Sequence, residues 1–234
     1  MNFALHFCPR CGVHTSLTEQ LSEVVECSAC HFRDSSPSKS LFGRSEWDTS
    51  DWTNRLLLCV SPTERKLRLL VCTTARYSFP TCQDSWFLAA LACAEEWADA
   101  ETAPPEAVSL EQRFNSRPGR MEVWAASVIQ CLADPIGSVF WWEWPDVYPV
   151  AADATRELFA HPFVPLEWNP EWFTSTVRDL AAHIYAERDF STMPVLGDAL
   201  LDAGCDHQLI QDHCRTMKPH ARGCWLVDAI LGKS

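Results

Sequence analysis

The chain has 234 residues and a mass of 26.5 kDa, which suits one ordinary domain with a small module, or at most two domains. Apolar residues make up 47% and charged residues 21%, which excludes general disorder. Its 19 basic and 31 acidic residues give a net charge of −12, which argues against a protein that coats nucleic acid or an anionic membrane. The longest apolar stretch, 86–94, is far shorter than the roughly 20 residues that span a bilayer, and no secretory leader is recognisable. We therefore expect a soluble, cytoplasmic protein.

The N-terminal segment, residues 1–34, carries two pairs of cysteines. Two residues separate the members of each pair and fifteen separate the pairs, which consist of Cys8, Cys11, Cys27 and Cys30. This spacing lets two tight turns aim four thiolates at one ion, and it is typical of a Cys₄ zinc site. Because four thiolates leave no open coordination position, we expect one structural zinc ion and no hydrolytic chemistry here.

The words CPRCG and ECSACHF around these cysteines resemble those of a zinc ribbon, and residues 24–26 predict a strand that enters the second pair. The segment contains two arginines against four acidic residues, whereas phosphate contacts require positive charge. A protein contact or a purely structural role is therefore favoured for the ribbon.

A polar linker, residues 35–45, leads into a helical body over 46–234. The apolar period predicts a helix over 47–60, then one that begins at Ser61 with Pro62 and Glu64 in its first turn. The next predicted helical segments lie at 84–100, 105–114 and 120–133. An irregular stretch at 134–149 contains the aromatic run FWWEW, which we interpret as a plug between helices.

The C-terminal third has the most regular pattern. Its apolar stripes predict helices over 177–185 and 195–203, the second closed by Gly204, followed by helices over 206–215 and 221–231. The predicted fold class is mainly α: a small N-terminal β zinc ribbon followed by an irregular multi-helix domain.

Several short words stand out in the helical body: RKLRL at 65–69, HPF at 161–163, AHIY at 182–185, LGDAL at 196–200, AGC at 203–205, HCR at 213–215 and HARGCW at 220–225. In these words the chain resembles an uncharacterised helical family expanded in planctomycete bacteria. The resemblance implies an all-α fold for most of residues 46–233 and carries no established activity.

Soft and borderline metal ligands concentrate near the C-terminus, at Cys205, His207, His213, Cys214, His220 and Cys224. Their spacings match no familiar ligand set. The favoured interpretation is that the cysteines are buried in helix packing and that the histidines lie at helix ends. The alternative is a second metal site. Cys214, His220 and Asp228 would also supply the residue types of a catalytic triad, which only geometry can establish.

The positive charge of the body concentrates at Arg65–Arg76, and we expect it to pair with acidic groups of the same chain. No common hydrolase, metalloprotease, phosphate-loop or dinucleotide motif occurs. The leading hypothesis is a non-enzymatic interaction or adaptor protein whose partner is another protein. The alternatives are a nucleic-acid-associated regulator that uses the ribbon and Arg65–Arg76, and an enzyme that uses the C-terminal Cys/His cluster.

Overall fold

The computed structural model of the chain describes residues 25–26, 33–34, 44–51, 53–100, 102, 104–107, 147–164 and 166–233. In the N-terminal segment, strand β1 (Val25–Glu26) pairs antiparallel with strand β2 (Arg33–Asp34). The predicted zinc ligands Cys8, Cys11, Cys27 and Cys30 lie outside the described residues. So do the aromatic run at 140–144 and the predicted helical segments from residue 108 to residue 133.

From residue 44 onward the described chain is helical, which confirms the predicted mainly α class. The helices are α1 (Arg44–Thr49), α2 (Thr53–Leu58), α3 (Glu64–Ser78), α4 (Ser85–Asp99), α5 (Tyr148–Leu158), α6 (Ser175–Glu187), α7 (Met193–Asp202), α8 (Gln208–Arg215) and α9 (Trp225–Leu231). Short 3₁₀ helices lie at Pro170–Trp172 and Phe190–Thr192. Within the described ranges, every helix is too short or too polar to cross a bilayer.

The first hydrophobic core lies among α1 to α5. Helix α3 packs against both α4 and α5, and α2 packs against α5. The leucine side chains at its centre are fully buried, among them Leu56, Leu70, Leu91 and Leu158. Burial of these large apolar groups is the main stabilising contribution to this half of the body.

The helix predicted over 47–60 is wrong as a single element, because α1 ends at Thr49 and α2 begins at Thr53. Arg156 of α5 donates hydrogen bonds to the carbonyl oxygens of Trp47 (2.7 Å) and Ser50 (2.5 Å). In a continuous helix these two carbonyl oxygens would accept hydrogen bonds from backbone N–H groups one turn later. Here Arg156 of α5 supplies the donors instead, so a contact from a distant helix stabilises the break between α1 and α2.

The prediction that the next helix begins at Ser61 as its N-cap is also wrong. The side chain of Thr63 accepts a hydrogen bond from the backbone N–H of Lys66 at 3.2 Å, so α3 begins at Glu64. Helix α4 follows its prediction closely, because Asp84 caps it by accepting from the N–H of Phe87 at 2.8 Å.

Helix α5 was not predicted, and its first residues, Tyr148 and Pro149, fall in the stretch expected to be irregular. Proline is compatible with the first turn of a helix. The face that α5 buries is made largely of alanine, including Ala151 and Ala154. Such small side chains give no conspicuous apolar stripe, although they let two helices approach closely.

The second core lies among α6 to α9 and confirms the regular C-terminal pattern. Val177, Ile184, Leu196 and Leu200 are fully buried there. Helix α7 ends at Asp202, and Gly204 follows it as the predicted closing glycine, with a φ of +88°. Helix α9 is shorter than predicted, because residues 221–224 form a turn before it rather than its first residues.

Candidate metal centre

Four potential metal ligands, one from α5 and three from the chain between α8 and the start of α9, meet between the two cores. Glu157 comes from the last turn of α5, His213 from α8, His220 from the α8–α9 loop, and Cys224 from the residue before α9. One ligand atom from each of these side chains lies within 4.8 Å of all the others. We call this set the Glu–His–His–Cys group.

The distances within the group suit a single ion. Nε2 of His213 lies 3.0 Å from Sγ of Cys224 and 3.9 Å from Oε2 of Glu157. Nδ1 of His220 lies 3.2 Å from each oxygen of Glu157. In a tetrahedral zinc site with bonds of about 2.0–2.3 Å, neighbouring ligand atoms are about 3.3–3.8 Å apart. The group therefore needs adjustments of at most about 1 Å to enclose an ion.

A sharp turn positions the last two ligands. Gly223 lies between His220 and Cys224 with a φ of +89°, a conformation that glycine adopts without strain. A Cβ at this position would lie 2.6 Å from Leu69 Cδ1 and 2.9 Å from Leu158 Cδ2. The turn is thus held against the first core.

The backbone of the same turn also binds Glu157. The N–H of Ala221 donates to Oε1 of Glu157 at 3.2 Å, so the carboxylate is oriented by a peptide group as well as by His220. Such outer hydrogen bonds are typical of metal-binding carboxylates.

The interior location controls the protonation of the group. The Cys224 side chain is fully buried, and burial followed by the charge of Glu157 raises its thiol pKa well above the usual value. Burial lowers the pKa of His213 to about 4 despite the nearby carboxylate. Thiol and imidazole are therefore neutral near pH 7, and His213 is in the unprotonated form that binds metals.

Aromatic rings pack against the two histidines of the group. The ring of Trp225 lies 4.7 Å from that of His213, between centroids, and the rings of the two histidines are 4.9 Å apart. Phe190 lies 6.3 Å from His220. Glu157 and Cys224 are buried beside these rings, and this poorly solvated environment strengthens electrostatic interactions among the ligand atoms.

The structure brings together only part of the C-terminal cluster considered from sequence. His213, His220 and Cys224 belong to the group, whereas Cys205, His207 and Cys214 do not. Cys205 and Cys214 are buried in the second core, where burial raises the pKa of both thiols, that of Cys214 to about 12. These two thiols therefore have the packing role that the sequence favoured.

The contacts of Cys214, His220 and Asp228 are not those of a catalytic triad, because His220 pairs with Glu157. Cys214 packs with its Cβ 2.8 Å from the position that a Cβ on Gly197 would occupy, while Asp228 pairs with Arg65 and Lys66. Glu157 was not among the residues predicted from sequence. Its only sequence cue is a carboxylate in the last turn of α5, a helix that was itself not predicted.

The basic stretch Arg65–Arg76 is paired with carboxylates of the same chain, as expected. Arg65 binds Asp228 through two nitrogens at 2.7 and 3.0 Å and also donates to Asp99 at 2.8 Å. The ammonium of Lys66 lies 2.6 Å from Asp228, and Arg76 pairs with Glu95 at 2.6 Å. These cations are therefore largely neutralised within the fold.

A network around Asp99 joins these pairs to α6 and the C-terminus. Tyr185, Arg222 (2.6 Å) and Lys233 (3.4 Å) donate to Asp99 in addition to Arg65. Burial opposes ionisation of Asp99, but the hydrogen bond from Tyr185 and the charge of Arg65 lower its pKa to about 2. We call Arg65, Lys66, Asp99, Tyr185, Arg222, Asp228 and Lys233 the charged junction.

Comparison of the chain with protein-family models, curated proteins and solved structures returned no match. The N-terminal zinc ribbon and the resemblance to a planctomycete family therefore stay predictions.

Proposed function

We propose that the chain is a non-enzymatic interaction protein whose helical body is stabilised by a structural zinc ion in the Glu–His–His–Cys group. The observation that carries the zinc site is the convergence of four ligand side chains, from both cores, within 4.8 Å in the protein interior. The interaction role is favoured because the sequence contains no common catalytic motif.

The donor set favours zinc among the common metals. One thiolate, two imidazoles and one carboxylate combine the sulfur, nitrogen and oxygen ligands that zinc accepts in tetrahedral sites. Calcium and magnesium bind oxygen ligands almost exclusively, so a thiol and two imidazoles disfavour them. Copper also binds two histidines and one cysteine, which makes copper the competitor that an experiment must distinguish.

Charge balance supports the same ion. With both histidines neutral, the thiolate of Cys224 and the carboxylate of Glu157 carry two negative charges, which a divalent cation compensates. A neutral assembly is the form that a buried site tolerates, since an isolated ion in the interior is strongly disfavoured. Binding of the ion would displace the thiol proton of Cys224, whose sulfur lies 3.0 Å from Nε2 of His213.

A structural role is favoured over a catalytic one. Four protein ligands fill a tetrahedral shell and leave no position for substrate water. The thiol also lacks the properties of a nucleophile, because Cys224 is fully buried and its raised pKa disfavours the thiolate in the absence of a metal.

The ion would act as a cross-link between the two cores. Glu157 extends from α5 of the first core, whereas His213 and Cys224 belong to α8 and the start of α9 in the second. Because the unfolded chain cannot present this site, the free energy of binding stabilises the folded body. We propose a second structural zinc ion in the N-terminal segment at Cys8, Cys11, Cys27 and Cys30.

The test is the metal content of the full-length chain and its variants, measured by elemental analysis after purification without added metal. We expect two zinc ions per chain in the wild type. Cys224→Ala or His213→Asn should each lose one ion, and Cys8→Ser should lose the other. Cys214→Ala and His183→Asn are matched controls outside the group, and they should keep both ions.

Cobalt substitution tests the ligand identity independently. In the Cys8→Ser variant, added Co²⁺ should give the visible bands of a tetrahedral site and a sulfur-to-metal charge-transfer band that disappears with Cys224→Ala. A folded Cys224→Ala chain that retains two zinc ions would overturn the proposal. Purification with stoichiometric copper in place of zinc would overturn the assignment of the metal.

A further inference from the structure

The loop between α5 and α6 presents aromatic rings at the surface. Among the large hydrophobic side chains that are exposed in the described residues, Phe163 and Trp168 are the aromatic ones, with 38% and 37% of their surface accessible. Both lie in residues 162–173, which we call the acidic aromatic loop.

The exposed rings are held in place by neighbouring groups. The ring of Trp168 lies 5.7 Å from that of Phe173 and 6.2 Å from that of Trp225. Phe163 packs edge-on against His161 at 6.1 Å. A ring that is ordered before binding loses little conformational entropy when a partner contacts it.

The backbone of the loop is also ordered by its own side chains. Asn169 accepts a hydrogen bond from the N–H of Glu171 at 3.0 Å, and its carbonyl accepts from the N–H of Trp172 at 3.1 Å. The loop therefore presents a defined surface.

The charge of the loop has one sign. Glu167 and Glu171 are exposed, and residues 159–177 contain neither lysine nor arginine. The next residue, Arg178, places its guanidinium 5.8 Å from the ring of Phe173 and donates to the carbonyl of Phe173 at 3.0 Å. The chain thus already positions one cation against an aromatic ring of this loop.

We propose that the acidic aromatic loop is a docking surface for a basic, arginine- or lysine-bearing segment of a partner protein. The cations of that segment would lie over Phe163 and Trp168, and Glu167 and Glu171 would neutralise them. Aromatic anchors beside opposite charges are typical of protein interfaces. This inference rests on the proposed function as an interaction protein and names the chemistry of its partner.

The charge of the region favours a basic protein segment over two other macromolecules. Residues 77–211 contain 6 basic and 21 acidic side chains, a net charge of −15. Nucleic acids and anionic lipid surfaces both require a positive contact surface, so this region repels them. A basic polypeptide is attracted by the same field.

The test is the binding of a fluorescein-labelled peptide of alternating arginine and alanine to the full-length chain, measured by fluorescence anisotropy at low salt. The comparison peptide alternates glutamate and alanine. We expect binding of the arginine peptide only, with an affinity that falls as salt is added.

Two pairs of charge-removing substitutions locate the site. Glu167→Gln with Glu171→Gln should weaken binding about three- to tenfold, and Trp168→Leu should weaken it further. The matched control, Asp202→Asn with Asp206→Asn, removes the same charge from other exposed positions and should change the affinity less than about twofold. Each variant is accepted only with wild-type circular dichroism and metal content.

Equal weakening by both pairs would overturn the proposed location, since it would mean that only net charge attracts the peptide. Absence of binding, or equal binding of the glutamate peptide or of single-stranded RNA, would overturn the proposed partner class. None of these outcomes affects the zinc stoichiometry, so failure of this inference is distinguishable from failure of the metal site.

Discussion

Asp228 is the carboxylate at which the two cations of α3 converge, and replacing it by asparagine tests how the two cores are joined. Its side chain is 2% exposed, it accepts two hydrogen bonds from Arg65, and it lies 2.6 Å from the ammonium of Lys66. Asparagine preserves the shape of the side chain and removes the charge. Two cations then lose their shared counter-charge in a poorly solvated place.

The expected loss of stability depends on the hydrogen bonds that Lys66 and Arg65 keep in the variant. Breaking a buried ion pair by removing one partner costs about 3–5 kcal/mol. Lys66 would still donate to the carbonyls of Leu158 (2.8 Å) and Gly223 (2.7 Å), and Arg65 would still bind Asp99. We therefore expect Asp228→Asn to lower the free energy of unfolding by about 3 kcal/mol, at the lower end of that range.

The assay is urea unfolding followed by circular dichroism, with the midpoint and the slope compared between variants. Glu64→Gln is the control, because Glu64 is 66% exposed and pairs with Arg68 one turn along α3, where a loss of at most about 0.5 kcal/mol is expected. Asp228→Asn with Lys66→Met should recover part of the loss, since the second change removes one unpaired cation. A loss below about 1 kcal/mol for Asp228→Asn at unchanged slope would refute the reasoning.

Three further predictions concern the turn, the junction and the metal. Gly223→Ala should lower the free energy of unfolding in urea by about 2–4 kcal/mol, because the added methyl group meets two leucines at a residue with a positive φ. Gly232→Ala is the control: its φ is +67° and the space around it is open, so a loss of about 1 kcal/mol is expected. Similar losses for the two variants would contradict this prediction. Asp99 has a folded pKa of about 2 against an ordinary 3.8, so its contribution is present above about pH 4 and is lost as the pH falls toward 2. After allowance for solvent screening, the contribution of Asp99 to stability is about 1–2 kcal/mol. Asp99→Asn should therefore weaken the fall of the free energy of unfolding between about pH 4 and pH 2, and an unchanged fall would contradict the prediction. Removal of zinc by a chelator should lower the free energy of unfolding by about 4 kcal/mol, compared with protein that contains free zinc at a thousandfold excess over Kd. The loss should be smaller in the Cys224→Ala variant, which lacks one ligand of the group. Equal losses in the wild type and this variant would exclude a contribution of the group to stability.

The helices that the sequence predicted well are those whose caps and stripes lie within their own residues. Asp84 caps α4 locally, and the stripe of α6 from Val177 to Tyr185 becomes buried as expected. The break between α1 and α2 is different in kind, because Arg156 supplies the partners of the α1 carbonyls from another helix. No local pattern at residues 47–60 contains that information.

The candidate metal site shows the same division between local and distant information. His213, His220 and Cys224 are near one another in sequence, but their spacing departs from that of ligand pairs on a single tight turn, because one lies on α8 and the others flank the turn at Gly223. Glu157 belongs to the first core, and only the packing of α5 against the C-terminal turn brings its carboxylate to the two histidines. A site assembled within one segment would add no link between the two cores beyond the charged junction. Glu157 is thus the ligand that the sequence pattern does not associate with the other three. Because it comes from the first core, it is also the ligand that makes the proposed ion a cross-link between the cores.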